Sequence, residues 1–319
     1  MSDRLVFLIW AEQADLYANR VRTSALADRV EILTAKPDEH PDAGTLGRVE
    51  ALYAKFLPEG ILKAMPRLRW LQAEAAGVDR FLRRGDLRDD LLLTSGRGIH
   101  SMQMPDTILG AIFHTTKPFK LLADQQRRKE WRRINPASVG GQTLAIVGLG
   151  AIGAVLARKA AALDMRVLGV NRSGAQVEHV DRVEPFGRHE ALIADADHVV
   201  LLVPLTPETK GIIDAAWLAA MKPTAWLHNF SRGEMVVDDD LIAATSAGAI
   251  AGAVLDAFRH EPLDPGHPFW TAPNIIVLPH IGGLHPDRDR FIGDLILDNL
   301  GRFVAGGTPT GVVDRSLGY

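Results

Sequence analysis

The chain has no cysteine among its 319 residues. That excludes disulfides, thiolate nucleophiles and cysteine-ligated metals. A strong charge of either sign is also missing: 36 Lys and Arg stand against 39 Asp and Glu, a formal net charge of −3. Such a balance exerts no global pull toward nucleic acid or an anionic membrane. No apolar run approaches the about 20 residues needed to span a bilayer. The stretch "MSDRLVFLIWAEQADL" lacks the basic start, long apolar core and small-residue cleavage site of a secretory signal. A cytoplasmic protein that binds neither membrane nor nucleic acid is expected. The 11 histidines invite a metal reading, but no HExxH motif or compact carboxylate–histidine cluster accompanies them, so no metal is expected. The basic run "DQQRRKEWRR", with Arg127, Arg128, Arg132 and Arg133, is expected to be a solvated helix, with nucleic-acid binding as the alternative.

What is present is an alternation of short apolar runs with helical patterns. "LVFLIW", "VEILTA", "RVEALYA", "RLRWLQAEAAGVD" and "LLLTSGRG" fall in the first hundred residues, with a Pro/Gly/Asp-rich loop after the second. A long helical pattern, "DTILGAIFHTTKPFKLLADQQRRKEW", follows. A second series then supplies "TLAIVG", "RVLGVN", "HVVLLVP", "AWLHNFS", "AGAVLDAF" and "IIVLPH" as strands. Continuous apolar runs of this kind are what strands buried on both faces of a parallel sheet require.

One turn in that second series carries chemistry. In "TLAIVGLGAIGAVLARKAAAL" a strand runs into a helix through Gly148, Gly150 and Gly153. Those spacings allow a tight turn, close approach to a pyrophosphate and close helix–strand packing. Together with Ala151 and Ile152 they place the free N–H groups of a helix N-terminus where phosphates would bind. The following strand ends in "NRSG". A carboxylate there would accept from the ribose of NAD and repel a 2′-phosphate. Asn171 removes that repulsion, Arg172 offers a guanidinium matched to phosphate, and Ser173 offers a hydroxyl. NADP(H) is therefore expected over NAD(H), with a solvated loop arginine as the plain alternative.

Four later segments fall in one order: "PLTPETKGII", "NFSRGEMVVDDDLI", "GAVLDAFRHEPL" and "LPHIGG". With "AAGVD" at Ala75 to Asp79, the chain resembles the D-isomer-specific 2-hydroxyacid dehydrogenase family. Its "NRSG" and "GIHSMQM" segments are most similar to the glyoxylate/hydroxypyruvate reductase branch. The resemblance implies that Arg232 binds the carboxylate and carbonyl of a 2-keto acid, His280 exchanges a proton with the carbonyl oxygen, and Glu261 supports His280. It further implies that Asp256 meets the nicotinamide carboxamide and that Pro204 and Thr209 flank the adenine and ribose. The N–H groups of Ala76 and Gly77 would face the substrate carboxylate. Taken singly, each residue has an ordinary structural reading: an ion-pair partner, a turn former or a strand cap.

Two α/β domains with doubly wound parallel sheets and a cleft between them are expected. Residues 1–103 plus 287–319 would form a flavodoxin-like substrate-binding domain, and residues 104–286 a Rossmann nucleotide-binding domain. The implied function is NADPH-dependent reduction of a small 2-keto acid to the D-2-hydroxy acid. A corepressor-like nucleotide sensor and a formate- or phosphite-type dehydrogenase stand as alternatives. The resemblance also implies a homodimer through the nucleotide-binding domain, with Trp131 as an anchor. Two departures from the family pattern stand out. Pro105-Asp106 opens the long helix, where both residues suit a first turn. His285 follows the "PHIGG" motif, where it either reaches the pocket or caps the last helix.

Overall fold

Apolar strand residues alternate sides, and both sides of each sheet are covered, so each sheet must be sandwiched between helices. The computed structural model describes residues 4–319; the first three residues of the expected substrate-binding domain lie outside the described chain. By packing, the chain divides into two units: the part up to Ile99 together with His285–Tyr319, and His100–Leu284.

The first unit holds β1 (Leu5–Trp10), β2 (Val30–Ala35), β3 (Ala51–Ala54), β4 (Trp70–Ala73) and β5 (Leu92–Thr94), in the order β2-β1-β3-β4-β5. All neighbours are parallel. This is the flavodoxin-like doubly wound order. Along β1, Leu8 and Trp10 enter one core with Leu52 and Leu71, while Phe7 and Ile9 enter the other with Tyr17, Tyr53, Ile292 and Ile296. The C-terminal helix Arg288–Val304 thus packs on the sheet begun by the N-terminal strand. Each large apolar side chain buried this way contributes about 1.5–3 kcal/mol.

The second unit holds β6 (Thr143–Val147), β7 (Arg166–Asn171), β8 (Arg182–Pro185), β9 (His198–Leu201), β10 (Trp226–Asn229), β11 (Gly252–Leu255) and β12 (Ile275–Val277). Their order is β12-β11-β10-β9-β6-β7-β8, parallel throughout. The sheet winds outward in both directions from β6, the Rossmann arrangement, whose ligand crevice lies beyond the carboxyl ends of the strands.

Three elements depart from the sequence expectation. Strand β8, "RVEP", is a partly exposed edge with no continuous apolar run to mark it. The long helical pattern after Met104 is two helices, Met104–Thr116 and Phe119–Arg127, and the basic run expected to be helical leaves the helix at Arg127, with Arg132 and Arg133 in irregular chain. Pro118 lacks an N–H and forces Lys117 into an extended conformation, φ −97 and ψ 142, which ends the first helix. The Pro/Gly/Asp-rich loop contains a short helix, Ala43–Arg48, because the Asp42 carboxylate accepts from Thr45 N at 3.0 Å and caps it.

Candidate functional site

The expected nucleotide and acid/base residues of the second unit collect on one rim of its sheet, because each follows the carboxyl end of a strand. Gly148 follows β6, Asn171 ends β7, Pro204 follows β9, Arg232 follows β10, Asp256 follows β11 and His280 follows β12. Ala76 and Gly77 stand beyond the carboxyl end of β4, in the other unit.

The glycine turn is tight on its inner side and open on its outer side. Gly148 has φ +115, and a Cβ there would lie 2.7 Å from the Leu202 carbonyl carbon. A Cβ on Gly153 would lie 2.2 Å from the Gly148 oxygen. At Gly150, which caps the helix Ala151–Ala161, a Cβ would meet nothing within 4 Å. The first-turn N–H groups, at Ala151 and Ile152 among others, have no carbonyl one turn back to bond. Together with the helix dipole they form a cradle that fits a dinucleotide pyrophosphate.

At the end of β7, Asn171 shapes the loop instead of projecting from it. Its Nδ2 donates to Ala175 O at 2.7 Å, and its Oδ1 accepts from Gly174 N at 2.7 Å. Ser173 Oγ accepts from Ala175 N at 3.3 Å. Both side chains hold a turn, from which Arg172 extends exposed to solvent. Beyond β9, Thr209 braces another turn: it donates to Pro204 O at 2.7 Å and accepts from Thr206 N at 2.8 Å.

On the other half of the rim, His280 Nδ1 lies 2.8 Å from Glu261 Oε2 and 3.0 Å from Oε1. Glu261 Oε1 also accepts from Phe258 N at 2.9 Å, so the carboxylate is held from two directions. The His280 side chain is 48% exposed, which leaves its second nitrogen available to a ligand. His280 itself has φ +53, a conformation that non-glycine residues adopt at some cost. Asp256 holds that turn in place by accepting from Ile281 N at 2.8 Å and Gly282 N at 3.0 Å. Burial pushes the Asp256 carboxyl up to about 6, against the lowering effect of those two N–H groups and of His280.

Arg232 is partly buried and follows "NFS" in a loop tied to itself: Asn229 Nδ2 donates to Arg232 O, and Ser231 N donates to Asn229 Oδ1. Ser231 Oγ bonds Val203 O. The next residue, Gly233, is the unanticipated member of the site. A Cβ there would lie 2.0 Å from the Phe258 carbonyl carbon and 2.2 Å from Arg259 N. Only glycine lets the Arg232 loop seat on the backbone that bonds Glu261. The "SRG" tripeptide was the available signal, but nothing local distinguishes close approach from an ordinary turn.

The chain is similar in sequence and fold to known proteins. Residues 109–282 match the family model described as D-isomer specific 2-hydroxyacid dehydrogenase, NAD binding domain. The chain belongs to that family. A glyoxylate/hydroxypyruvate reductase A from Serratia proteamaculans is 35% identical over 82% of this chain and 85% of its own length. The crystal structure of a D-isomer specific 2-hydroxyacid dehydrogenase from Xanthobacter autotrophicus Py2, in complex with NADPH and MES, has a TM-score of 0.88 at 26% identity, covering 99% of this chain and 100% of the other. An NADPH-dependent glyoxylate/hydroxypyruvate reductase from Sinorhizobium meliloti, in complex with NADP and sulfate, has a TM-score of 0.84 at 25% identity over the same shares.

Within this 2-hydroxyacid dehydrogenase family chain, the two departures have plain structural roles. Pro105 lies in the first turn of Met104–Thr116, and Asp106 pairs with Lys159. His285 does not cap the last helix with its side chain. Its ring packs on Phe291 at 5.3 Å while its carbonyl accepts from Arg288 N at 3.1 Å. Among the described residues no group of three or more His, Asp or Glu is placed to hold a metal, and no helix is long and apolar enough to cross a membrane.

Proposed function

We propose that this oxidoreductase reduces a small 2-keto acid, of the glyoxylate or hydroxypyruvate type, to the 2-hydroxy acid, with the D configuration where the product is chiral. NADPH is the proposed reductant. The observation that carries the reading is the Glu261–His280 pair at 2.8 Å on the strand-end rim of a Rossmann sheet, with the Arg232 loop seated on the Phe258–Arg259 backbone beside it. Relatives named glyoxylate/hydroxypyruvate reductase support the substrate class.

A bound nicotinamide supplies the hydride. Arg232 would grip the carboxylate and polarise the carbonyl, since its planar donors suit both oxygens. His280, through the nitrogen not on Glu261, would give its proton to the carbonyl oxygen as charge develops there. Glu261 would hold the ring in one orientation, with Nδ1 on the carboxylate and the second nitrogen turned to the substrate. The N–H groups of Ala76 and Gly77 would take the outer carboxylate oxygen, which makes the first unit the substrate-binding one.

Residues 104–286 would hold the nucleotide. The Gly148–Gly153 turn would bind pyrophosphate, and Asp256 has lone pairs left for a carboxamide. Pro204 and Thr209 would border the adenine and ribose. Arg172 and Ser173 would bind the 2′-phosphate in a loop whose form Asn171 sets. The exposed Trp131, with Phe119 and Leu121 nearby in sequence, would anchor a homodimer through this unit. Sedimentation at a monomer's mass would remove that assembly.

The deciding experiment is loss of absorbance at 340 nm with NADPH or NADH across glyoxylate, hydroxypyruvate, pyruvate and phenylpyruvate. Faster turnover with NADPH supports the whole reading. Faster turnover with NADH keeps the reductase and removes the role of Arg172. No turnover with either cofactor overturns the reductase reading.

A further inference from the structure

Glu74 is the first residue after β4, and Ala75, Ala76 and Gly77 follow it. Its side chain is only 7% exposed. Burying a carboxylate costs several kcal/mol of hydration, which a well-placed partner must offset. Its partner is Arg288, the first residue of the C-terminal helix, whose Nη2 bonds Glu74 Oε1. Arg288 Nη1 lies 3.5 Å from Asp289 Oδ1, and Tyr17 donates to that same oxygen at 2.9 Å. The Tyr17 and Tyr53 rings meet edge to face at 5.7 Å. Burial and the neighbouring carboxylates raise both hydroxyls, which keeps them neutral. Burial alone would lower Arg288, but the Glu74 carboxylate outweighs it and raises that group.

The main chain at this point is clamped from two further sides. Glu74 N donates to Ala54 O at 3.0 Å, and Gly96 N donates to Ala75 O at 2.9 Å. A Cβ on Gly96 would lie 2.1 Å from Glu74 O, so the approach needs glycine. Stability does not account for the ion pair, because well-packed apolar residues of similar volume hold a core as well or better. What an ion pair adds is direction: it fixes one side-chain orientation at the point where the strand gives way to the loop.

We propose that Glu74 and Arg288 are positioning residues: their buried pair orients the Ala75–Gly77 main chain, and with it the N–H groups of Ala76 and Gly77 that meet the substrate carboxylate. This rests on the substrate-loop assignment made under the proposed function. The loss should therefore appear in substrate binding and leave the nucleotide unit unaffected.

The test is steady-state kinetics with glyoxylate and NADPH, alongside thermal melting, for Glu74→Gln, the double variant Glu74→Gln/Arg288→Met, and Ala76→Pro. Glu74→Gln should raise KM for glyoxylate about tenfold, with kcat and KM for NADPH within about threefold of the parent. The double variant leaves no lone buried charge, so it should melt nearer the parent yet keep the raised KM. It carries the test if Glu74→Gln fails to fold. A lowered melting temperature with unchanged KM in both variants would make the pair merely structural and overturn the proposal. Ala76→Pro deletes one N–H directly. If it raises KM while Glu74→Gln and the double variant do not, positioning alone fails. If none of the three moves KM, the substrate-loop assignment fails as well.

Discussion

The seven-stranded sheet places histidines in two opposite settings. On the carboxyl rim, His280 stands half exposed in a left-handed turn with one nitrogen on Glu261. Inside the sheet, His198 at the start of β9 and His228 in the middle of β10 are buried, and their rings are bonded Nδ1 to Nε2 at 3.1 Å. Gln142 Oε1 lies 2.9 Å from the far nitrogen of His198. Burial drives His198 down to about 4 and His228 well below its ordinary value, so the interior pair is neutral and structural. A carboxylate on one nitrogen and an open second nitrogen make a histidine useful for proton transfer; a second neutral ring makes it part of the core. Arg232 stands four positions after His228, so the chain passes from the interior setting to the rim within one strand and its following loop.

Four measurements would break or sharpen this contrast. The largest effect is expected from His280→Ala, which should lower kcat for 2-keto acid reduction about 10³-fold, or roughly 4 kcal/mol, while NADPH binding by fluorescence titration stays near the parent's. Turnover within a few-fold of the parent would place the acid/base elsewhere.

The interior pair should show itself in stability. Folded His198 titrates near 4, below the 6.5 of an unfolded histidine, so the unfolded chain binds more protons between those values. Stability is therefore full above pH 6.5 and falls as the pH drops toward 4, by about 3 kcal/mol for this one group. Urea midpoints across that range should flatten in His198→Gln. An unchanged slope would mean that carboxylates elsewhere dominate.

Glu261→Gln keeps the shape of the pair but not its charge. It should cost about 10- to 100-fold in kcat, less than removing the imidazole. A loss equal to that of His280→Ala would give the carboxylate more than a supporting role. The smallest effect is expected on the far side of the rim, where Arg172→Ala should raise KM for NADPH about tenfold and leave KM for NADH nearly unchanged. Equal losses with the two cofactors would remove the 2′-phosphate contact.

Much of this was readable in the one-dimensional chain. Buried parallel strands are continuous apolar runs, and "GLGAIG" between a strand and a helix admits few other readings. The order of "SRG", "RHEPL" and "PHIGG" carried the family resemblance, and that resemblance pointed to Arg232, Glu261 and His280. Local chemistry thus determined the apolar strands, though not the β8 edge, and with them the glycine turn and the residue types at the rim. It did not reveal that Asn171 shapes its own turn through both ends of its amide, since an amide that shapes a loop and one that meets a ligand look alike in sequence. Nor did it show why Gly233 must be glycine, or that Asp256 holds the His280 turn, or that Glu74 is paired with Arg288 214 residues away. Those facts depend on which backbone segments meet across the fold, and only the tertiary structure decided them, because close approach and burial arise between elements distant in the chain.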